Sequence, residues 1–259
     1  MSYTSILLEQ EGAVASVTVN RPDKRNALNA AVRAEILDAL DMLRNDETVR
    51  VVLFTGAGDR AFVAGADIQE FADRTPLEQR SAMAGRRVFD EIAAFPKPTI
   101  AVINGLALGG GCELALACDL RIAAETARLG QPEINLGLIP GGGGTQRLPR
   151  LVGYGQTMRL VLTGELIDAA EAHRIGLVEM VFPAGELRSH AAKLAEQIAS
   201  KSPVAVRMAK AAIRSAAEAP MAAGLAYETE MFLACFASED KREGIEAFFA
   251  KRPPAFLGR

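Results

Sequence analysis

Apolar residues along the chain follow two different spacings. Residues 14–20 alternate apolar and polar side chains and are rich in valine, which predicts a strand next to another strand over residues 5–10. Residues 29–44 place valine, isoleucine and leucine on one face, which predicts an amphipathic helix. Uninterrupted apolar runs at 51–55 and 99–103 are typical of buried strands. This alternation continues to about residue 183 and predicts an α/β fold with right-handed crossovers.

Further helices are predicted by longer stretches of the chain. Residues 76–95 indicate one long helix, ended by the prolines that follow it. From residue 184 onward only helices are predicted, and Ser202 and Pro203 are typical of a helix start, with a hydroxyl at the N-cap and proline behind it. The helix predicted over 221–236 is apolar on most faces, so we expect it to pack against another subunit.

Composition narrows the class of protein. The chain has 259 residues, of which 49% are hydrophobic, enough for one sizeable core. Its net charge of −3 gives no general attraction for a polyanion, so we expect no nucleic-acid partner. Three cysteines without a disulfide pattern favour a reducing compartment. The first residues lack a leader pattern, and no apolar run approaches the ~18 residues of a membrane span. We therefore expect a cytoplasmic protein with no membrane partner.

Two glutamates are candidates for acid–base chemistry. Glu113 is the one charged residue in an otherwise apolar helix predicted over 110–118, so we expect it to be buried. A buried carboxylate needs a partner or has a raised pKa, and a backbone donor or an arginine would also account for it. Glu133 follows Pro132 ahead of an apolar segment, where an exposed loop glutamate is the plain alternative.

The pair suits the addition of water to an α,β-unsaturated thioester. That reaction needs a base for the water proton and an acid for the α-carbon, and two carboxyl groups in a dry site can divide these roles. Backbone N–H groups would stabilise the thioester oxygen. The glycines at 109–111 begin a predicted helix, whose N-terminus presents such N–H groups. The loop at 64–67 is a second candidate donor, with a plain tight turn as the alternative.

Other motifs point away from competing chemistry. The glycines at 141–144 lack the spacing of a phosphate loop or a dinucleotide fold, and we interpret them as a turn packed close to the site. His173 and His190 do not have metal-ligand spacing, so no metal site is predicted. The chain contains neither the GxSxG motif of serine hydrolases nor a CxxC pair.

These motifs together resemble the enoyl-CoA hydratase (crotonase) family. The resemblance is carried by residues 100–120, IAVINGLALGGGCELALACDL, with further motifs at 20–29, 61–68 and 130–141 and in the last 17 residues, and it covers nearly the whole chain. It implies a crotonase-like spiral of ββα units with a C-terminal helical oligomerisation region. We accordingly expect a core with the active site over residues 1–195 and a helical trimerisation region over 196–259.

The resemblance also implies roles for particular residues. Ala66 and Gly110 would donate the oxyanion N–H groups, Glu113 would activate water, and Glu133 would exchange the proton at the α-carbon. The resemblance further implies contacts with CoA from the N-terminal motif, from the loop that carries Ala66, and from the start of the helix at Gly110. The residues concerned are Lys24, Arg25, Ala64, Ala66, Asp67, Ile68 and Gly110. Many hydratases carry a lysine where this chain has Gln69, which we expect to weaken CoA binding by ~1 kcal/mol.

The resemblance therefore implies a hydratase that acts on an acyl-CoA and forms a homotrimer or homohexamer. No cofactor is expected, because coenzyme A is part of the substrate. Hydration of 2,3-dehydroadipyl-CoA and isomerisation of an enoyl-CoA double bond are the alternatives within the family. A non-catalytic CoA-binding or RNA-binding protein is the alternative of another class. The helix predicted over 30–44 has no lysine and disfavours RNA.

Overall fold

Two sheets form the core of the protein. The computed structural model describes residues 3–259. The larger sheet has the order β1 (Ile6–Glu11), β2 (Val14–Val19), β3 (Val51–Gly56), β5 (Thr99–Ile103), β7 (Leu120–Ala124), β10 (Met180–Phe182). The smaller sheet has the order β4 (Ala61–Val63), β6 (Leu106–Leu108), β8 (Arg128–Gly130), β9 (Ile167–Asp168). Among the strand pairs of residues 3–259, β1–β2 and β8–β9 are antiparallel and the others are parallel.

The order of the strands produces a spiral. The pairs β3 and β4, β5 and β6, and β7 and β8 each place one strand in the larger sheet and the next strand in the smaller sheet. Each successive unit therefore adds one parallel strand to both sheets. This is the α/β spiral of ββα units that the family resemblance implied.

Helices cover these sheets. The helices of the first part of the chain are α1 (Ala30–Asn45), α2 (Pro76–Ala82), α3 (Val88–Ala93), α4 (Gly110–Ala117), α5 (Gly144–Thr163) and α6 (Ala169–Arg174). They are followed by α7 (Leu187–Ala199), α8 (Pro203–Ser215), α9 (Met221–Phe236) and α10 (Glu239–Ala250). Three short 3-10 helices span Pro22–Lys24, Ile68–Glu70 and Pro132–Leu136.

The central strands β3 and β5 of the larger sheet are buried on both faces, as their uninterrupted apolar runs predicted. Because side chains alternate along a strand, β3 sends Val52 and Phe54 into the main core and Val51 and Leu53 into a second cluster. That second cluster is closed by α7 through alanine and leucine side chains. Helix α4 lies inside the main core, and all its residues from Gly111 onward are buried.

The single long helix predicted over residues 76–95 is wrong. The structure has α2 and α3 instead, separated by five residues that include Gly85 with φ at +84°. Glycine costs about 1 kcal/mol more than alanine inside a helix. None of the residues of α2 is buried, so no packing offsets that cost. Helix α3, after the break, buries Val88 and Ile92.

The C-terminal helices hold to the core through a few polar contacts. Lys210 of α8 donates to Asp119 at 2.6 Å and to the Lys97 carbonyl at 2.9 Å. The predicted helix start is confirmed, since the Ser202 hydroxyl accepts the N–H of Ala205. Helix α9 has no buried residue in the single chain despite its apolar sequence. Within residues 3–259, no helix has the length and apolar character needed to cross a membrane.

Candidate active site

Three loops meet where parallel strands of the smaller sheet end. Ala66 follows the end of β4 by three residues, Gly110 follows β6 by two, and Glu133 follows β8 by three. The carboxyl ends of neighbouring parallel strands lie on the same edge of a sheet, which is where α/β proteins place their ligand sites. The spiral thus brings together residues that are up to 67 positions apart (133 − 66).

Two backbone N–H groups lie side by side at this edge. Leu28 donates to the Gly65 carbonyl at 2.8 Å and accepts the Asp67 N–H at 2.9 Å, so the Ala66 N–H faces away from this pairing. Gly110 is the first residue of α4, where an N–H has no acceptor within the helix. A methyl group on Gly110 would lie 3.4 Å from the Ala66 nitrogen. Two such donors, one at a helix N-terminus, can hold an oxyanion.

Gly109 turns the chain between β6 and α4. Its φ of +49° favours glycine, and a methyl group at this position would lie 2.9 Å from Oε1 of Glu133. The Glu133 carboxyl therefore lies against the turn that presents the Gly110 N–H. A carboxyl group and a helix-N-terminal N–H are in this way neighbours.

The second carboxyl, that of Glu113, is held by the glycine loop, which we define as residues 141–144. Only 4% of the surface of Glu113 is exposed, which confirms the predicted burial. Its Oε1 accepts the N–H of Gly142 at 2.6 Å and of Gly144 at 2.8 Å. A methyl group on Gly142 would lie 2.3 Å from the Phe89 ring and 2.5 Å from Glu113 Oε2, so only glycine allows this approach. Oε2 accepts no hydrogen bond from residues 3–259 and is open to a ligand.

Opposing effects act on the pKa of Glu113. Burial raises the pKa, while the two N–H donors and the positive charges of Arg147 and Arg87 lower it. Burial is the largest effect, and the pKa lies above its ordinary value of 4.5. The donors nevertheless give the ionised carboxylate specific partners in an apolar helix.

Glu133 has a pKa close to neutrality. The pKa is raised to about 7, mainly by burial; its own backbone N–H lowers the pKa, and the negative charge of Glu113 raises it. The Gln131 side chain is completely buried, and its amide nitrogen donates to both carboxyl oxygens of Glu133 at 3.1 and 3.2 Å when it faces them. Because the charge of Glu113 raises the pKa of Glu133, the two carboxyl groups are coupled. Ionisation of Glu113 favours the protonated form of Glu133.

Comparison with known proteins identifies the family of this chain. A family model described as enoyl-CoA hydratase/isomerase matches residues 9–259. The chain belongs to this family. Its relatives include the short-chain-enoyl-CoA hydratase of Clostridium acetobutylicum, with 46% identity over 253 residues and 97% of each chain. The crotonyl-CoA hydratase of Syntrophomonas wolfei is 46% identical over 260 residues and 100% of each chain.

The fold of the enoyl-CoA hydratase/isomerase family is also found in solved structures. The enoyl-CoA hydratase of Bacillus anthracis superposes with a TM-score of 0.95 at 42% identity, covering 99% of this chain and 100% of that one. The crotonase-type spiral predicted from the motifs is thereby confirmed.

The loop at residues 64–68 is tied to the N-terminal motif at residues 20–29. Arg21 donates to the Ala27 carbonyl at 2.7 Å and forms an ion pair with Asp67 at 3.1 Å. Asn26 is 1% exposed and donates to the carbonyls of Ala57 at 3.0 Å and Ala61 at 2.8 Å. Sequence reasoning missed both anchors, although the buried asparagine lies in a motif that it quoted.

The residues predicted to contact CoA lie around this loop. Lys24 and Arg25 are exposed at the end of the first 3-10 helix, and the Arg25 carbonyl accepts the Ala64 N–H at 3.1 Å. Ile68 is 48% exposed on the outer side of the loop. The Asp67 carboxylate pairs with Arg21, its N–H donates to the Leu28 carbonyl, and its own carbonyl accepts the Glu70 N–H at 3.0 Å.

Several contacts at the site had not been predicted. The glycine loop was interpreted as a turn near the site, but it also supplies both donors to Glu113. Gln131 was noted only as part of a motif. The histidines lie elsewhere: His173 contacts the Val178 carbonyl, and His190 stacks on Phe182 with 3.9 Å between ring centres. In the described part of the chain, no group of three or more His, Cys, Asp or Glu residues could hold a metal ion.

Replacing Glu133 should change how stability depends on pH. The Glu133 carboxyl has a pKa of about 7 in the folded protein and an ordinary value of 4.5 when unfolded. Its contribution to the stability of the folded state is therefore complete only below pH 4.5. That contribution is lost as the pH rises towards about 7. We expect Glu133→Gln to gain stability over the wild type between pH 5 and 7, with a constant difference above about pH 7.5.

Urea denaturation at fixed protein concentration measures this difference. Glu196→Gln, a change at an exposed glutamate of α7, is the matched control and should show no such trend. A Glu133→Gln difference that is independent of pH would contradict the raised pKa.

Proposed function

We propose that this protein is an enoyl-CoA hydratase that adds water reversibly across the 2,3 double bond of a trans-2-enoyl-CoA, giving a 3-hydroxyacyl-CoA. One observation is the main support for the proposal. The coupled carboxyl groups of Glu113 and Glu133 lie in different surroundings, beside the adjacent N–H groups of Ala66 and Gly110. Membership in the enoyl-CoA hydratase/isomerase family and the names of the two relatives support it.

Glu113 acts as the base in this mechanism. Its Oε1 is fixed by the glycine loop, so Oε2 can accept a hydrogen bond from the attacking water. As the water oxygen bonds to the β-carbon, one water proton moves to Glu113. The apolar surroundings of α4 keep other water from competing for the carboxylate.

Glu133 acts as the acid, and the N–H pair stabilises the charge. Attack at the β-carbon moves the double-bond electrons towards the thioester oxygen, which becomes an enolate oxygen held by Ala66 and Gly110. The α-carbon then takes the proton of Glu133, whose pKa near 7 keeps it protonated in much of the enzyme at neutral pH. A proton exchange through solvent returns Glu113 to the ionised and Glu133 to the protonated form.

The proposed chemistry moves protons and no electrons to or from the protein, so we propose that it uses no cofactor beyond the CoA of its substrate. The exposed side chains of Lys24 and Arg25 can reach CoA phosphates, and the loop from Ala64 to Ile68 can line the adenine and pantetheine end. Gln69 is exposed and uncharged, in keeping with one fewer phosphate contact.

Isomerisation of the double bond is the second candidate within the family. It requires a base at the α-carbon or γ-carbon but no water-activating base. The fixed Glu113 with its open Oε2 favours hydration. Binding of RNA finds less support, because Arg33 and Arg44 on α1 are engaged by Glu70 and Glu91.

Neutral replacements of the two carboxyl groups test the mechanism. We expect Glu113→Gln to lower kcat on crotonyl-CoA by about 10²–10⁴-fold, the usual contribution of one acid–base group, and Glu133→Gln to lower it similarly. Glu133→Gln should also abolish exchange of the α-proton with deuterated water, which NMR of the 3-hydroxyacyl-CoA measures.

A matched control is Glu125→Gln, which removes a carboxyl outside the site and should leave kcat unchanged. More than half of the wild-type activity in Glu113→Gln would remove Glu113 from the mechanism. Exchange that persists in Glu133→Gln would overturn the assignment of the acid.

We propose a short, straight acyl chain as the preferred substrate. Both relatives carry names for short-chain or crotonyl substrates. The Phe89 ring lies beside Glu113, where the reacting carbons must sit, and Met83 lies 3.9 Å from a methyl group placed on Gly141. These side chains reduce the space for a long tail next to the base.

Phe89→Ala should therefore extend the range of substrates. We expect the wild type to have its highest kcat/KM on the four-carbon enoyl-CoA in a graded series. The variant should raise the ratio of ten-carbon to four-carbon kcat/KM roughly tenfold. Leu77→Ala, at a 73% exposed position of α2, is the control. A wild-type preference for 2,3-dehydroadipyl-CoA would contradict the proposed substrate and favour the alternative.

We propose that the chain assembles as a homotrimer or homohexamer. Two apolar surfaces of the single chain support this, one on α9 and one on α5. Their exposed large side chains are Leu225, Phe232, Leu233 and Phe236 on α9 and Leu151, Tyr154, Met158 and Leu162 on α5. Exposed apolar area of this extent is typical of subunit interfaces.

Mass measurement of the intact assembly tests the oligomer. Native mass spectrometry should give three or six times the chain mass of 27.5 kDa. A species of one chain mass at micromolar concentration would contradict the proposal.

A further inference from the structure

We propose that Arg147 is a positioning residue that, together with Asp90 and Arg87, clamps the glycine loop so that its two N–H groups keep the Glu113 carboxylate in place for hydration. This inference rests on the proposed function for its kinetic consequence. Its structural part, the clamp on the loop, stands on contacts alone.

The clamp holds two consecutive carbonyls of the glycine loop. Arg147 lies in the first turn of α5 and donates to the Gly142 carbonyl at 2.9 Å. Arg87, at the N-cap of α3, donates to the Gly141 carbonyl at 2.7 Å. The N–H groups that hold Glu113 belong to Gly142 and Gly144. The carbonyl and N–H sides of this loop are thus fixed from opposite directions.

Asp90 joins the two arginines. Its Oδ1 accepts from Arg147 at 2.7 Å, and its Oδ2 lies 3.6 Å from Nε of Arg87. Gly143 has φ at +109°, and a methyl group there would lie 2.2 Å from the Arg147 guanidinium, so the side chain fills the space that this glycine leaves. Helix α3, the glycine loop and α5 are therefore tied at one point beside Glu113.

The clamp also places positive charge near the base. The charged and titratable groups that face Glu113 are Arg147 from α5, Arg87 before α3, Glu133 from the third 3-10 helix and the neighbouring Cys112. Burial raises the pKa of Cys112 to about 12, so its thiol is neutral. The two guanidinium groups are the charges that favour the ionised form of Glu113, and they lower its pKa.

Replacing Arg147 tests whether this side chain positions Glu113 for catalysis or only stabilises the fold. We expect Arg147→Met to lower kcat on crotonyl-CoA about 10–10²-fold, since small misplacements of a catalytic group cost this much. KM should change less than threefold, because the Arg147 side chain contacts Gly142 and Asp90 rather than the loop at residues 64–68. The acidic limb of the kcat–pH profile should move to higher pH. Arg147→Lys should restore the position of that limb and part of kcat.

Arg150→Met is the matched control, since Arg150 lies one turn further along α5 and donates to the Gln146 carbonyl, away from the glycine loop. It removes the same charge and should leave kcat and its pH profile unchanged. An Arg147→Met enzyme with wild-type kcat, or with a reduced kcat and an unmoved acidic limb, would overturn the positioning role.

Hydrogen exchange tests the clamp without relying on activity. Peptides that span the glycine loop should exchange their amide hydrogens at least tenfold faster in Arg147→Met than in the wild type or in Arg150→Met. Unchanged exchange would refute the clamp. A wild-type protein that does not hydrate crotonyl-CoA would refute the proposed function, while the exchange result would still decide the clamp.

Discussion

The burial of one carboxylate sets the main constraint on this structure. An ionised carboxyl placed among apolar side chains without partners loses several kcal/mol of hydration free energy. Glu113 is 4% exposed and receives two N–H groups from a loop whose close approach requires glycine. The helix that carries Glu113, the glycine loop and the arginines behind that loop therefore form one unit. A change in any of them alters the balance between the charged and neutral forms of the base.

The spiral topology explains how the remaining parts reach this unit. Each turn of the chain adds one strand to the smaller sheet, and each of these strands ends beside the same edge. The first end supplies the Ala66 N–H, the second the Gly110 N–H and the third Glu133. The groups of the proposed site thus lie on three separate loops that follow neighbouring strands of one sheet. Burial is the main reason that the pKa of Glu133 is raised to about 7, and the nearby carboxyl of Glu113 adds to this effect.

Sequence reasoning recovered the parts that depend on local pattern. Uninterrupted apolar runs predicted the buried strands, and a single charge in the apolar helix α4 predicted the burial of Glu113. The resemblance to a known family predicted the spiral, which the solved structures confirm, and the roles of the site residues, which stay predictions. Three features escaped prediction because they depend on tertiary contacts. These are the break at Gly85, the N–H donors of the glycine loop, and the Gln131 amide against Glu133. The spacing of residues along the chain carries no signal for a contact across 29 positions (142 − 113).

The central claim is that the two carboxyl groups and the two N–H donors converge on one thioester. A crystal structure of the protein with an unreactive saturated analogue, butyryl-CoA, measures this directly. The account predicts the thioester oxygen about 2.7–3.1 Å from the nitrogens of both Ala66 and Gly110. It also predicts Glu113 Oε2 on the side of the β-carbon and Glu133 on the side of the α-carbon. A thioester oxygen bound elsewhere, or both carboxyl groups turned away from these carbons, would contradict it.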